Sequence, residues 1–128
     1  MNRLAEIILV EDDPLYQELY TDELCTLGAN IAYCSTIDQA NLVATELPPD
    51  AIIVDIGLPD GDGVELIEGL LSKSYFQNTL VIVVTASNDS KQHERAISAG
   101  ADRVITKPFE AGAIQRALVT IPMRDLLL

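Results

Sequence analysis

Several short apolar runs in this 128-residue sequence end on side chains that can do chemistry. Glu11, Asp12 and Asp13 follow Ile7-Ile8-Leu9-Val10, Asp55 follows Ala51-Ile52-Ile53-Val54, Thr85 follows Leu80-Val81-Ile82-Val83-Val84, and Lys107 comes just after Val104-Ile105. If the runs are strands of one parallel sheet, their carboxyl ends share an edge, which is where open sheets bind ligands. Distant residues then converge as several carboxylates, a hydroxyl and an ammonium. Clustered carboxylates raise one another's pKa unless a cation sits among them. Oxygen-only ligands suit a hard cation, and a site with positions open for water and phosphate suits Mg²⁺ or Mn²⁺. Thr85 and Lys107 would face that metal from the other side and bind phosphate oxygens by hydrogen bond and charge. An aspartate, with an ordinary pKa of about 3.9, is ionised at neutral pH and needs no base to act as a nucleophile. Phosphoryl transfer onto a carboxylate therefore needs no His or Cys, because positioning and electrostatics supply the catalysis.

These residues must be held by regular elements. The runs at 7–10, 51–54 and 80–84 are continuous and rich in β-branched residues, as strands covered on both faces are. Ile31-Ala32-Tyr33 and Val104-Ile105 are shorter candidates. Helical stripes lie between them. Tyr16, Tyr20, Leu24 and Leu27 predict a helix closed by Gly28, and Val64, Ile67, Leu70 and Leu71 predict another. Ala96 and Ile97 predict the inner face of a third, capped by Gly100. Ile114, Ala117, Leu118 and Ile121 predict the last, ended by Pro122. Five strand–helix alternations predict an α/β fold, a doubly wound (βα)₅ flavodoxin-like three-layer sandwich around a five-stranded parallel sheet. One domain is expected over residues 1–122, with 123–128 a tail or the start of a linker to an output domain. Leu126-Leu127-Leu128 is an apolar run for a free terminus.

Composition narrows the classes. Lys and Arg number 8 against 20 Asp and Glu, a net charge of −12. That excess repels nucleic acid and anionic lipid, so direct nucleic-acid binding is not expected. The chain is 48% hydrophobic with 5% aromatic residues and no Trp, so aliphatics must build the core. Residues 1–10 lack the pattern of a signal peptide, and no apolar run nears the roughly 20 residues of a membrane span. Cys25 and Cys34 match no metal or disulfide spacing and read as buried thiols in a reducing cytoplasm. Asp13 precedes Pro14, a favoured first helical residue, and reads as the N-cap of the first helix. Asp60 and Asp62 read as turn and capping acids, Tyr16, Tyr20 and Phe109 as core, and His93 as a surface or packing residue. Pro108 favours an extended residue before it and admits a cis bond.

The sequence resembles the response-regulator receiver family of two-component signalling over essentially its whole length. The resemblance is carried by Ile8-Leu9-Val10-Glu11-Asp12-Asp13, Asp55-Ile56-Gly57-Leu58-Pro59-Asp60-Gly61-Asp62-Gly63, Thr85-Ala86-Ser87, Ala99-Gly100-Ala101-Asp102 and Lys107-Pro108-Phe109. It implies that Asp55 is the phosphoacceptor. Asp12 and Asp55 would bind Mg²⁺ directly, Glu11 through water, and the Gly57 carbonyl would add a third protein ligand. Thr85 and Lys107 take the roles given above. The implied partner is a sensor histidine kinase or a histidine phosphotransfer protein, with slow hydrolysis afterwards. The chain would be a cytoplasmic signalling domain and not a turnover enzyme on external substrates. Its switching face, formed by the fourth helix, fifth strand and fifth helix, would serve a partner, an output domain or a homodimer.

One position departs from the family pattern. Receivers usually carry an aromatic residue or His three residues before the lysine, and here that residue is Val104, stiff at χ1 and without a ring. Two other readings are open. A non-phosphorylated pseudo-receiver would act by protein contact alone. An aspartate-nucleophile phosphatase would want an acid two residues after Asp55, where this chain has Gly57. A flavodoxin-like electron carrier would need a Ser/Thr-rich phosphate loop after the first strand, and none is present.

Overall fold

The computed structural model describes residues 5–46 and 49–119. The chain alternates β1 (Glu6–Val10), α1 (Pro14–Leu24), β2 (Asn30–Cys34), α2 (Ile37–Glu46), β3 (Ala51–Asp55), α3 (Gly63–Leu71), β4 (Leu80–Thr85), α4 (Ser90–Ala99), β5 (Arg103–Thr106) and α5 (Ala113–Val119). All strand pairs in the sheet are parallel, in the order β2-β1-β3-β4-β5. This is the expected flavodoxin-like (βα)₅ arrangement, whose order reverses between β1 and β3. Between β3 and α3, Gly57–Leu58 pairs with Gly61–Asp62 in a short antiparallel ladder.

Alternation along each strand divides the core into two layers. Ile8, Val10, Ile52, Val54, Val81 and Val83 face the helices α2, α3 and α4. Ile7, Leu9, Ile53, Ile82 and Val84 face Tyr20 and Leu24 of α1 and Ile114 and Leu118 of α5. Aspartates pin two strand starts, Asp50 Oδ2 accepting the Glu6 N–H at 2.8 Å and Asp102 Oδ2 the Val81 N–H at 2.8 Å.

Asp13 is the N-cap of α1, its Oδ1 accepting the Leu15 N–H at 2.9 Å. Asp62 caps α3 in the same way through the Val64 N–H at 2.8 Å. Asp60 reaches across to α2, accepting the N–H groups of Ile37 and Asp38 at 2.9 and 3.2 Å.

Three expectations are corrected. The first helix ends at Leu24, not at Gly28. The Leu27 N–H donates to the Leu24 carbonyl at 3.0 Å, so a tighter turn intervenes before Gly28 (φ +67°) directs the chain into β2. Ile97 is 51% exposed, leaving Ala96 as the buried residue of α4. Adjacent residues stand about 100° apart around a helix, so the two cannot share a narrow inner face. Cys34 is buried, but Cys25 is exposed at the end of α1. Gly100 caps α4 in the left-handed region as expected (φ 118°). The expectations for Ile121, Pro122 and the 123–128 tail lie outside the described residues. Among the described residues no helix is long and apolar enough to cross a membrane.

Candidate functional site

The ends of β1 and β3 lie side by side, Val10 pairing with Val54. The residues that follow therefore meet. Carboxylate oxygens of Glu11, Asp12 and Asp55 lie within 4.8 Å of one another. Glu11 is 1% exposed and Asp55 8%. The Glu11 backbone is held at both ends: its N–H donates to the Cys34 carbonyl at 2.9 Å, and its carbonyl accepts from Gln17 Nε2 at 2.6 Å. Its Oε2 accepts the Asp13 N–H at 3.2 Å. Asp55 Oδ1 accepts the Gly57 N–H at 3.2 Å.

Lys107 brings the cation. Its Nζ lies 2.7 Å from Glu11 Oε1 and 3.3 Å from Asp55 Oδ2. The Lys107–Pro108 peptide is cis, as the sequence allowed. Burial works against the ammonium, but Glu11 and Asp55 outweigh it and hold the Lys107 pKa above its ordinary value. Burial and then the Asp55 charge raise the Glu11 pKa above its ordinary 4.5, against the lowering by Lys107. Three carboxylates against one ammonium leave two negative charges, the complement of a divalent cation. Glu11 Oε1 is buried, with the Lys107 ammonium as its partner. An all-oxygen donor set and a residual charge of that size together fit Mg²⁺ or its bound water.

Thr85 is 4% exposed at the end of β4, beside β3. Its carbonyl accepts the Lys107 N–H at 2.7 Å, and its Oγ1 accepts the Ser87 N–H at 3.0 Å. The structure thus joins Glu11, Asp12, Asp55 and Lys107 through direct side-chain proximity. It ties Gly57 to Asp55, and Thr85 to Lys107, through the backbone.

Sequence reasoning missed some of the support. Lys107 Nζ stands 4.1 Å from the centroid of the Tyr16 ring, a cation–π contact. Tyr16 packs in turn against Phe109 (centroids 5.7 Å) and Tyr20 (6.5 Å). Tyr16 lies on the apolar stripe of α1, so periodicity reads it as core. Its place one turn beyond the acids was the available signal. Gln17 carries no such signal. Nor does Gly63, where an added Cβ would lie 2.3 Å from the Asp55 carbonyl oxygen.

A family model described as the response regulator receiver domain matches residues 7–119. The KDP operon transcriptional regulatory protein KdpE of Escherichia coli is 34% identical over 115 residues, covering 90% of this chain and 50% of that protein. The chain thus spans about half the length of the curated relatives it matches. Among solved structures, the receiver domain of the sensor histidine kinase PA1611 from Pseudomonas aeruginosa, with magnesium coordinated in its active-site cleft, superposes with a TM-score of 0.82. It is 29% identical, covering 92% of this chain and 97% of that one. The BeF3-activated DrrB receiver domain gives 0.77 at 25% identity, covering 91% and 99%.

Proposed function

This chain belongs to the response regulator receiver family of two-component signalling, and on that premise we propose that Asp55 accepts a phosphoryl group from a phosphohistidine. The donor would be a sensor histidine kinase or a histidine phosphotransfer protein. The observation that carries the reading is Lys107 Nζ held between Glu11 and Asp55 at the mouth of a three-carboxylate cluster.

Asp12 and Asp55 would hold Mg²⁺ directly, with Glu11 acting through water and the Gly57 carbonyl as a further ligand. Bound there, the ion would neutralise charge on the transferring phosphoryl group and align it with the acceptor. The chain's own residues do the rest. An Asp55 carboxylate oxygen attacks phosphorus, the P–O bond forms as the P–N bond to histidine breaks, and the electron pair leaves with the imidazole. Lys107 is already beside Asp55 Oδ2 and can pair with a phosphoryl oxygen, and the Thr85 hydroxyl can donate to another. Water later cleaves the acyl phosphate and restores Asp55. The receiver is thus a signalling module, placed by this reading in the cytoplasm and without nucleic-acid contacts of its own. Phosphorylation would alter the α4-β5-α5 face, through which a partner, an output domain or a second copy binds.

Incubation with a small-molecule phosphodonor and Mg²⁺ should add one phosphoryl group by intact mass, released by hydroxylamine as acyl phosphates are. Asp55→Asn should add none. Equal labelling of the variant would remove Asp55 from the role.

A further inference from the structure

The family's usual aromatic position is filled by Val104, which is partly buried against the core and has no ring to swing. A different connection runs from the site to α4. Ser87, in the loop after β4, is held at both ends of its backbone. Its N–H donates to Thr85 Oγ1 at 3.0 Å, and its carbonyl lies 2.8 Å from His93 Nε2 on α4. A carbonyl only accepts, so Nε2 carries the proton, and the contact holds for both the neutral Nε2–H tautomer and the imidazolium. Ala96 is the one buried side chain among the residues of α4, so apolar packing holds this helix weakly and polar tethers matter. A second tether is Arg95 to Asp62 at 2.7 Å, reaching the loop that follows Asp55.

We propose that His93 is a positioning residue that carries the state of Thr85 to α4 through the Ser87 backbone. The proposal rests on the reading that Thr85 turns its hydroxyl toward a phosphoryl group on Asp55. That turn takes Oγ1 off the Ser87 N–H and leaves the donor unpaired, so the Ala86–Ser87 peptide that carries it reorients. The Ser87 carbonyl lies in the next peptide plane, across the Ser87 Cα; the backbone rotation at Ser87 that re-aims the N–H also shifts that carbonyl, and His93 either follows it and displaces the first turn of α4 or loses its partner. In both cases the contacts of α4 differ between the two states, which is what coupling requires.

Amide exchange with and without beryllofluoride and Mg²⁺ tests this on the wild type, His93→Ala and His93→Gln. In the wild type both the 86–89 loop and α4 should change exchange. In His93→Ala the loop should still respond, while the α4 response falls about threefold or more. His93→Gln places an amide donor within reach of the same carbonyl and should restore it. An α4 response in His93→Ala equal to wild type overturns the relay, as does a wild-type α4 that stays unchanged while the loop responds. Failure of Gln to rescue overturns the hydrogen-bond role. Absence of any response in the wild-type loop, with no phosphoryl addition by mass, overturns the reading of the site and the relay with it.

Discussion

Asp12 and Asp13 are neighbouring acids with different surroundings, and the difference sets their expected behaviour. Asp12 contributes an oxygen to the carboxylate cluster, whereas Asp13 accepts the Leu15 N–H and caps α1. Asp12→Ala should weaken Mg²⁺ binding by about tenfold or more, while Asp13→Ala should leave it close to wild type and cost about 0.5–2 kcal/mol as a lost cap. Without metal, Asp12→Ala relieves carboxylate repulsion and should melt no lower than wild type. Calorimetric titration and thermal melts read both, and equal metal affinities would contradict the division. Glu11 gives a pH test. Its folded pKa lies above the ordinary 4.5, so as pH falls from neutrality the folded chain takes up a proton before the unfolded chain does. This group's contribution to stability therefore rises as pH falls through the raised value toward 4.5. Metal-free denaturant titrations at about pH 7 and about pH 5 should show wild type gaining on Glu11→Gln at the lower pH. Mg²⁺ affinity should fall over the same window as protons compete for the carboxylates. A difference that is flat with pH would contradict the burial assigned to Glu11.

Among the elements, α3 starts at Gly63, packed close against the Asp55 backbone at the end of β3, and two glycines in that helix should respond to alanine with opposite sign. Gly69 has open space around an added Cβ, so Gly69→Ala should stabilise by about 0.5–1 kcal/mol. Gly63→Ala would put a Cβ 2.3 Å from the Asp55 carbonyl oxygen and 2.8 Å from Val54 Cγ1, forcing α3 or the end of β3 to move. It should destabilise by about 1–3 kcal/mol and slow phosphoryl uptake, as denaturant titration and labelling rates would show. Stabilisation of both variants would contradict the close approach. The strands were legible because buried parallel strands read as continuous apolar runs. The face of α2 was not, since it buries Ala40 and Ala44, which stand out little in a hydrophobic pattern. The end of α1 and the inward residue of α4 depended on turn geometry and angular placement, which a stripe of apolar letters does not resolve.

For the whole molecule, the sheet order explains why the main site residues could be read from the sequence. Reversal between β1 and β3 places the ends of those strands together, with β4 and β5 following on one side. Glu11, Asp12, Asp55, Thr85 and Lys107 each come just after or at the end of a readable strand, so local sequence was enough to nominate them. Tyr16 beneath Lys107 and His93 against Ser87 come from helices packed over the sheet, and only the tertiary arrangement brings them into contact. On the proposed reading, the convergence of strand ends makes Asp55 the phosphoryl acceptor. Borohydride reduction of the phosphorylated chain followed by peptide mapping tests it most directly, because the hydride converts an aspartyl phosphate to homoserine at the residue that carried it. Homoserine at position 55, dependent on both phosphodonor and Mg²⁺, is the expected result. Homoserine at position 12, or a reduced glutamate at position 11, with Asp55 intact would contradict it.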